Sequence, residues 1–560
     1  MEQFDTVYSV SDLHIGGKEN PMFDQGERLG AAFRQMAAEV GCLQPSPSIN
    51  RPAGPRSRRV ALVLNGDVVD FLACPSDQGE PGRYFLSDDQ AIAELDRLFA
   101  PESGFSDVWW GLHDYIIRGG TLIVVLGNHD IELALPAVQA HFLLLLSNAT
   151  TVPPSPHQWK IACVHVHFHM DGRGYRCKVG DRTIAFLHGN EADDDNEIDY
   201  EGLRKVICNR GVLGGPNLDL APNRGTQLVI DVMNDIKSEF PFVDLLKPEF
   251  GAALPLAMAI SDRRIPRIAK AVNALYLGDD PDADRGSESA TDSATVPSVG
   301  HDAPATTDPA GLTNFWLAAL DMRSTPATRD STALVDEAIR LLDAGVTVEE
   351  IADAVADAEL GIGDQARSLF DVAFRVVRGW KRSSLRQLVR LTSLGSASRV
   401  FEPSLPLEGD QKLDRLVRSK TDIVVAGHSH FAKFHPRWNG HGVFINTGTW
   451  AKIMRIREQE LESEESFSRV LEAIKNKDAS ALEKTDVHPG YIVRLPTVAI
   501  IESRPRKNGS NRVIARLCKA VFSDKDSDRI VWVPLTSVLQ PGWQAESESQ
   551  NGEAWVLTRP

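Results

Sequence analysis

Five short apolar runs in this chain each end in residues able to hold a metal ion. They are TVYSV before Ser11-Asp12-Leu13-His14, VALVL before Asn65-Gly66-Asp67, LIVVL before Gly127-Asn128-His129-Asp130, TIAFL before His188-Gly189, and IVVA before Gly427-His428-Ser429-His430. Buried strands read as continuous Val, Ile and Leu runs, and ligands collect where such strands give way to loops. A single Asp or His after a strand is more often a helix cap or a hydrogen-bonded loop residue than a ligand. Five at the same kind of strand end would need five independent coincidences, so the pattern predicts a metal site built along one rim of a sheet.

The order of these motifs, SDLHIGG, NGDVVD, LGNHD, LHGN and AGHSH, resembles that of the calcineurin-like metallophosphoesterase superfamily. The resemblance covers about residues 4–200 and 420–450, and the sequence between the motifs is uninformative. It implies a two-sheet, helix-flanked αββα sandwich with a helical cap domain. By motif position it implies that Asp12, His14, Asp67 and His430 hold a first metal, and that Asp67, Asn128, His188 and His428 hold a second, with Asp67 bridging. Paired divalent cations lower the pKa of a shared water from about 15.7 towards 7 and offset charge developing on a phosphoryl group. His129 is not a ligand in this scheme. The resemblance makes it the proton donor to the leaving oxygen, oriented by Asp70, a role that contributes about 10²–10⁴-fold. Asp130 is expected to cap a helix beginning near Ile131. Mixed Asp, Asn and His ligands favour borderline or harder metals, manganese first, with iron, zinc and nickel as alternatives.

Composition sets the outer bounds. At 560 residues the chain can bury at least one large core and is expected to form two or three domains. No stretch reaches the roughly 18 apolar residues needed to cross a bilayer, and the first strand begins almost at Met1, leaving no room for a signal peptide. A cytoplasmic protein is the expectation. The six cysteines show no CxxC or paired framework, which fits a reducing compartment and argues against a thiolate zinc site. A net charge of −17 gives little support to a general nucleic-acid surface. The acidic run Ala192 to Glu197 is expected to be a solvated segment at a helix start.

The catalytic core is expected to be split into residues 1–200 and 421–540, with a tail over 541–560 expected to be disordered. Between the halves, residues 201–420 form a mainly helical insertion, interrupted by a Ser, Asp, Ala, Thr and Pro-rich linker over 278–311. The insertion leaves just after His188 and returns just before His428, so its helices should begin and end near the mouth of the site. One of them, 374–391, places Phe374, Val377, Trp380, Leu385, Leu388 and Leu391 on one face and crowds Arg and Lys elsewhere. It is expected either to pack as a surface helix or to meet a substrate phosphate or a membrane surface. Charged and alternating segments after Trp450 predict a helix over Arg457 to Lys477 and strands near Tyr491 to Glu502, Arg512 to Phe522 and Arg529 to Leu535. His165, His167 and His169 would share a face if VHVHFH were one strand, an arrangement more often a solvated hairpin than a metal site.

Departures from the relatives narrow the substrate. Protein phosphatases of the superfamily read GDxVDRG and GNHE, whereas Phe71 follows Asp70 and Asp130 follows His129 here. Lipid-pathway pyrophosphohydrolases share SDLH but carry Arg where His129 stands. Repair exonucleases share GNHD and GHxH, usually in complex with an ATPase. The expected activity is two-metal hydrolysis of a phosphomonoester or phosphodiester. The alternatives are a nuclease, a nucleotide-sugar or lipid pyrophosphohydrolase and, outside enzymes, a metal-stabilised binding module.

Overall fold

The computed structural model describes residues 1–16, 26–40, 43–44, 56–73, 85–147, 156–210, 220–228, 401–454, 456, 460, 463–476, 482, 491–505, 511–523, 526–535, 544–547 and 555–558. Most of the expected insertion, including the 278–311 linker and the basic helix 374–391, lies outside the described residues. The chain divides into two units: Met1–Ile230, Arg399–Ile453 and Ile492–Pro560 form one, and Asp231–Ser398 with Met454–Tyr491 form the other. In the second, the helix Glu464–Lys475 is capped by Ser463, whose side chain accepts from the Ser466 N–H, and buries Phe467, Val470 and Ile474.

The first unit is mixed α/β with two multi-stranded sheets. In the larger, Trp555–Thr558, Gln544–Ser547, Asn511–Ser523, Thr497–Pro505, Thr6–Val10, Val60–Asn65, Thr121–Val125 and Val166–His169 lie side by side, and Asp526–Pro534 also pairs with Asn511–Ser523. The smaller runs Glu2–Phe4, Tyr175–Val179, Arg182–Phe186, Ile423–Ala426, Val443–Thr447, Ala432–Pro436.

The apolar runs are explained by burial on both faces. Val7, Ala61, Val63, Ile123 and Val125 of the larger sheet share one core with Ile184, Phe186, Ile423, Val425, Val443 and Ile445 of the smaller. The alternate residues Tyr8, Val10, Leu62, Leu64, Leu122 and Val124 join a second core with Phe33, Leu95, Trp109, Leu112 and Phe142 of the flanking helices. On the smaller sheet, Ala185, Val424, Ala426 and Phe444 pack with Leu413 of the helix Glu408–Leu416 and with Val417. A strand enclosed on both sides has no polar face, so it loses the period-two alternation of a solvated strand. The arrangement is compatible with a two-sheet sandwich.

Three of the five runs, Thr6–Val10, Val60–Asn65 and Thr121–Val125, are parallel neighbours in the larger sheet. The other two, Arg182–Phe186 and Ile423–Ala426, are parallel neighbours in the smaller. The expectation of one rim therefore needs correcting: the runs open onto the carboxyl ends of two sheets. Glu2–Phe4 and Thr6–Val10, separated only by Asp5, belong to different sheets, and that switch brings the two together at the start of the chain.

Two further expectations are revised. The tail beyond residue 540 carries the strands Gln544–Ser547 and Trp555–Thr558, which pair with each other, so it is not wholly irregular. VHVHFH is not one strand, because His165 ends the helix Pro156–His165 and only His167 and His169 lie in Val166–His169. Those histidines form no metal-holding group among the described residues. No helix among the described residues is long and apolar enough to cross a membrane.

Candidate metal centre

Every described non-glycine residue with a left-handed backbone is one of the expected ligands: Asp12 at φ 53°, His14 at 47°, Asp67 at 52°, His428 at 68° and His430 at 64°. That conformation crowds a Cβ and costs about 1–3 kcal/mol per residue, so it persists only where surrounding structure over-determines it. Here the strands feeding the loops supply the compensation, since each fully buried Val, Leu or Ile contributes about 1.5–3 kcal/mol. The loops are also tied together. The N–H groups of Leu13 and His14 donate to the Asp67 carbonyl at 2.9 and 3.0 Å, and Gly427 N–H donates to the His188 carbonyl at 2.7 Å. A Cβ on Gly127 would overlap the Asp67 carboxylate, and one on Gly427 would overlap Ser11 Oγ and the Asp12 carboxylate. The glycines of GNHD and GHSH are thus required by close approach.

The side chains converge into three groups whose donor atoms lie within 4.8 Å of one another: Asp12, His14 and His430; His14, Asp67 and His129; and Asp67, His188 and His428. Asp67 and His14 link the groups. The Nε2 atoms of His14 and His430 face each other at 3.0 Å, and His430 Nε2 lies 3.4 Å from Asp12 Oδ1. Asp67 Oδ2 stands 3.9 Å from His14 Nε2 and 3.1 Å from His188 Nε2. Asp12, His14, Asp67, Asn128, His188 and His430 are all buried. His428 is half-buried.

These residues fit a cation by a test internal to the structure. His188 Nδ1–H donates to the Asn65 carbonyl at 2.9 Å, which leaves the Nε2 lone pair directed at the Asp67 carboxylate without hydrogen-bond geometry. Two facing lone pairs repel unless a proton or a metal lies between them. Asn128 Oδ1 is likewise buried with no hydrogen-bond donor. Buried polar atoms are nearly always satisfied, so an orphaned amide oxygen in the GNHD loop suits a cation ligand. Buried His and Asp groups that could hold a metal ion are therefore a property of this chain.

Electrostatics agree. Burial alone would push the Asp12 and Asp67 carboxyls up, yet both are held below the usual carboxylate range. His430 is the main cause for Asp12, and His188 followed by His129 for Asp67. Burial opposes protonation of His188, but the Asp67 charge outweighs it and lifts the ring to about 10. In the absence of a cation, His188 takes up a proton in its place.

Because His188 rises from 6.5 to about 10, its proton stabilises the metal-free fold fully below about pH 6.5, and that contribution is lost as pH climbs through 10. Metal loading at pH 8 must displace this proton. Calorimetric titration with manganese in two buffers of different ionisation heat should report release of at least one proton at pH 8, declining above pH 10. Identical heats in both buffers would contradict the assignment of His188.

His129 differs from the ligands. Its ring is 21% exposed, and its Nδ1–H donates to Asp70 Oδ1 at 3.1 Å. Asp70 Oδ2 also lies 3.4 Å from His14 Nδ1. Both histidines hold its carboxyl well below the usual range against the effect of burial, His129 most strongly. One carboxylate thus orients a ligand candidate and the solvent-facing histidine together.

Asp130 does not cap the helical turn Ile131–Ala134 that follows it. Its buried carboxyl instead accepts from Gly127 N at 2.7 Å and Val68 N at 2.8 Å, tying the GNHD loop to the NGDVVD loop. Burial and then the Asp67 charge raise it to about 7.

Several contributors were not singled out from the sequence. Thr449 Oγ1 donates to the Asp12 carbonyl at 2.6 Å, and Ser11 Oγ and Thr447 Oγ1 share a hydrogen at 2.6 Å, clasping the two rims. Asn446 Nδ2 donates to the Gly427 carbonyl at 2.7 Å and to Ser429 Oγ at 3.0 Å. Asn446 ends the run VFI just as the ligands end theirs, so the same signal was available. Asp193, from the acidic run expected to be solvated, contacts His428 Nε2 at 2.9 Å. Burial would raise its carboxyl, but the bond and charge of His428 pull it down to about 2. Comparisons with protein-family models, curated proteins and solved structures return no match to this chain.

Proposed function

We propose that this chain is a two-metal phosphoesterase of the calcineurin-like metallophosphoesterase superfamily, with an αββα core, hydrolysing a phosphomonoester or phosphodiester. The observation that carries the reading is the coincidence of left-handed backbone with five of the expected ligands, joined through Asp67, beside a partly exposed histidine oriented by Asp70. A binding module has no use for a partly exposed imidazole oriented by a buried carboxylate.

Asp12, His14, Asp67 and His430 would hold one divalent ion, and Asp67, Asn128, His188 and His428 the other, manganese being the first choice for this oxygen and nitrogen set. Ions held there supply Lewis acidity and lower the pKa of a bound water from about 15.7 towards 7. The protein's own contribution is positional. Asn65 fixes the His188 tautomer through its carbonyl, Asp70 accepts the His129 Nδ1–H, and His129 as an imidazolium would pass its Nε2 proton to the leaving oxygen of the ester. The buried ligands keep bulk water from their lone pairs, while the exposed edge of His129 marks the side from which a substrate enters.

The test is a screen of the manganese-loaded protein against bis-nitrophenyl phosphate, nitrophenyl phosphate, nucleotides, nucleotide sugars, and single-stranded and duplex DNA. Hydrolysis of either nitrophenyl ester, abolished by chelation and restored by manganese, is the expected result. Preference for DNA would select the nuclease alternative, and cleavage confined to nucleotide sugars the pyrophosphohydrolase. A metal-loaded protein inert towards all of them would leave the binding-module reading in possession.

A further inference from the structure

We infer that Asp193 is a positioning residue that fixes His428 as an Nδ1 donor to the second metal, making the loop after His188 a device for that ion alone. The inference rests on the two-metal reading above.

His428 is gripped at two points. Its main-chain N–H donates to both oxygens of Asp12 at 3.0 Å, and its ring Nε2 lies 2.9 Å from Asp193 Oδ2. Asp193 also accepts from Asn196 Nδ2 and the Asp195 N–H, as an ionised carboxylate does, so Nε2 carries the hydrogen and the lone pair lies on Nδ1. Nδ1 is then the nitrogen left for the group formed with Asp67 and His188. A histidine ligand whose other nitrogen donates to a carboxylate is both oriented and made more basic, and losing such a partner costs about 10–100-fold in metal affinity.

The carboxylate is itself held. Asn196 Nδ2 donates to Asp193 Oδ2 at 2.8 Å and Asp195 N–H to Oδ1 at 3.1 Å. The main chain closes around them, with Asp193 N–H donating to the Asn190 carbonyl at 3.1 Å, Asn196 N–H to the Asp193 carbonyl at 3.0 Å and Gly225 N–H to the Asp195 carbonyl at 2.8 Å. A solvated acidic run would have no such closure. The two histidines of the second group are thus set differently, His188 by the neutral Asn65 carbonyl and His428 by a charged partner. Both depend on one segment, because the loop that follows His188 also supplies the group that orients His428. The neighbouring Asp194 is exposed and provides a matched control for charge alone.

The experiment is equilibrium manganese titration of the full chain, wild type against Asp193→Ala, Asp193→Asn and Asp194→Ala, with bound metal counted directly and folding followed by thermal melting. Asp193→Ala should weaken the second manganese about 10–100-fold while leaving the first within about twofold. Asp193→Asn keeps an acceptor oxygen for Nε2–H and should recover part of that loss, which a simple steering effect of charge would not allow. Asp194→Ala should match the wild type. Wild-type binding of two ions with unchanged affinities in a folded Asp193→Ala would overturn this inference and leave the two-metal reading intact. Equal weakening by Asp194→Ala would replace it with charge steering. A wild-type chain that binds fewer than two ions would overturn both readings.

Discussion

Asp67→Asn is expected to strip the protein of bound metal as well as turnover. Asp67 is the one side chain that belongs to two of the three donor groups through a carboxylate, with Oδ2 at 3.1 Å from His188 Nε2 and 3.9 Å from His14 Nε2. Its Oδ1 accepts the His129 main-chain N–H at 2.9 Å, so the carboxylate also holds the GNHD loop in place. Asparagine is nearly isosteric, which isolates the effect of charge. It removes the negative charge that both ions would share, and its NH₂ group must face either a histidine lone pair or a main-chain N–H. Loss of several kcal/mol of charge stabilisation corresponds to about 10³-fold or more in rate. Metal analysis of the purified variant is the deciding measurement: full two-metal occupancy would show that Asp67 does not bridge. The metal-free variant should still melt cooperatively, because Val63 and Leu64 before it and Val68 and Val69 after it remain buried.

The parts of the fold that could be read from sequence were those set by local burial. Val60 to Leu64 is wholly apolar because one face meets the other sheet and the opposite face meets helices, and that double enclosure leaves a signature within five residues. Which strands pair leaves none. Thr6–Val10 lies parallel to Val60–Asn65 and antiparallel to Thr497–Pro505, partners separated by tens and then hundreds of residues. The single rim inferred from the motifs became two for this reason. The candidate ligand residues were legible because they follow the strands directly. Asp193 was not, because a carboxylate in an acidic run looks the same whether it faces water or an imidazole 2.9 Å away. Asp130 shows the converse error: an acidic residue before a helical turn usually caps it, but here two loop N–H groups already claim both oxygens.

His129→Ala should separate chemistry from metal binding. The ring shares Asp70 with His14 and belongs to the His14, Asp67 and His129 group, but not to the Asp12, His14 and His430 group or the Asp67, His188 and His428 group, so ions held by those two groups should remain. What is lost is a proton held where a leaving oxygen would depart. A positioned acid contributes about 10²–10⁴-fold, and the loss should be of that size for an ester whose alkoxide leaves poorly. Nitrophenolate departs without protonation, so kcat/KM for the nitrophenyl ester should fall far less. The variant also removes the stronger of the two histidine contributions that hold the Asp70 carboxyl down. Asp70→Asn should therefore mimic the leaving-group dependence in part, since an amide can still accept from His129 Nδ1–H but no longer favours a charged imidazolium. Should His129→Ala reduce both substrate classes equally at full metal occupancy, the histidine would be a substrate-binding group and the proton would have to come from elsewhere.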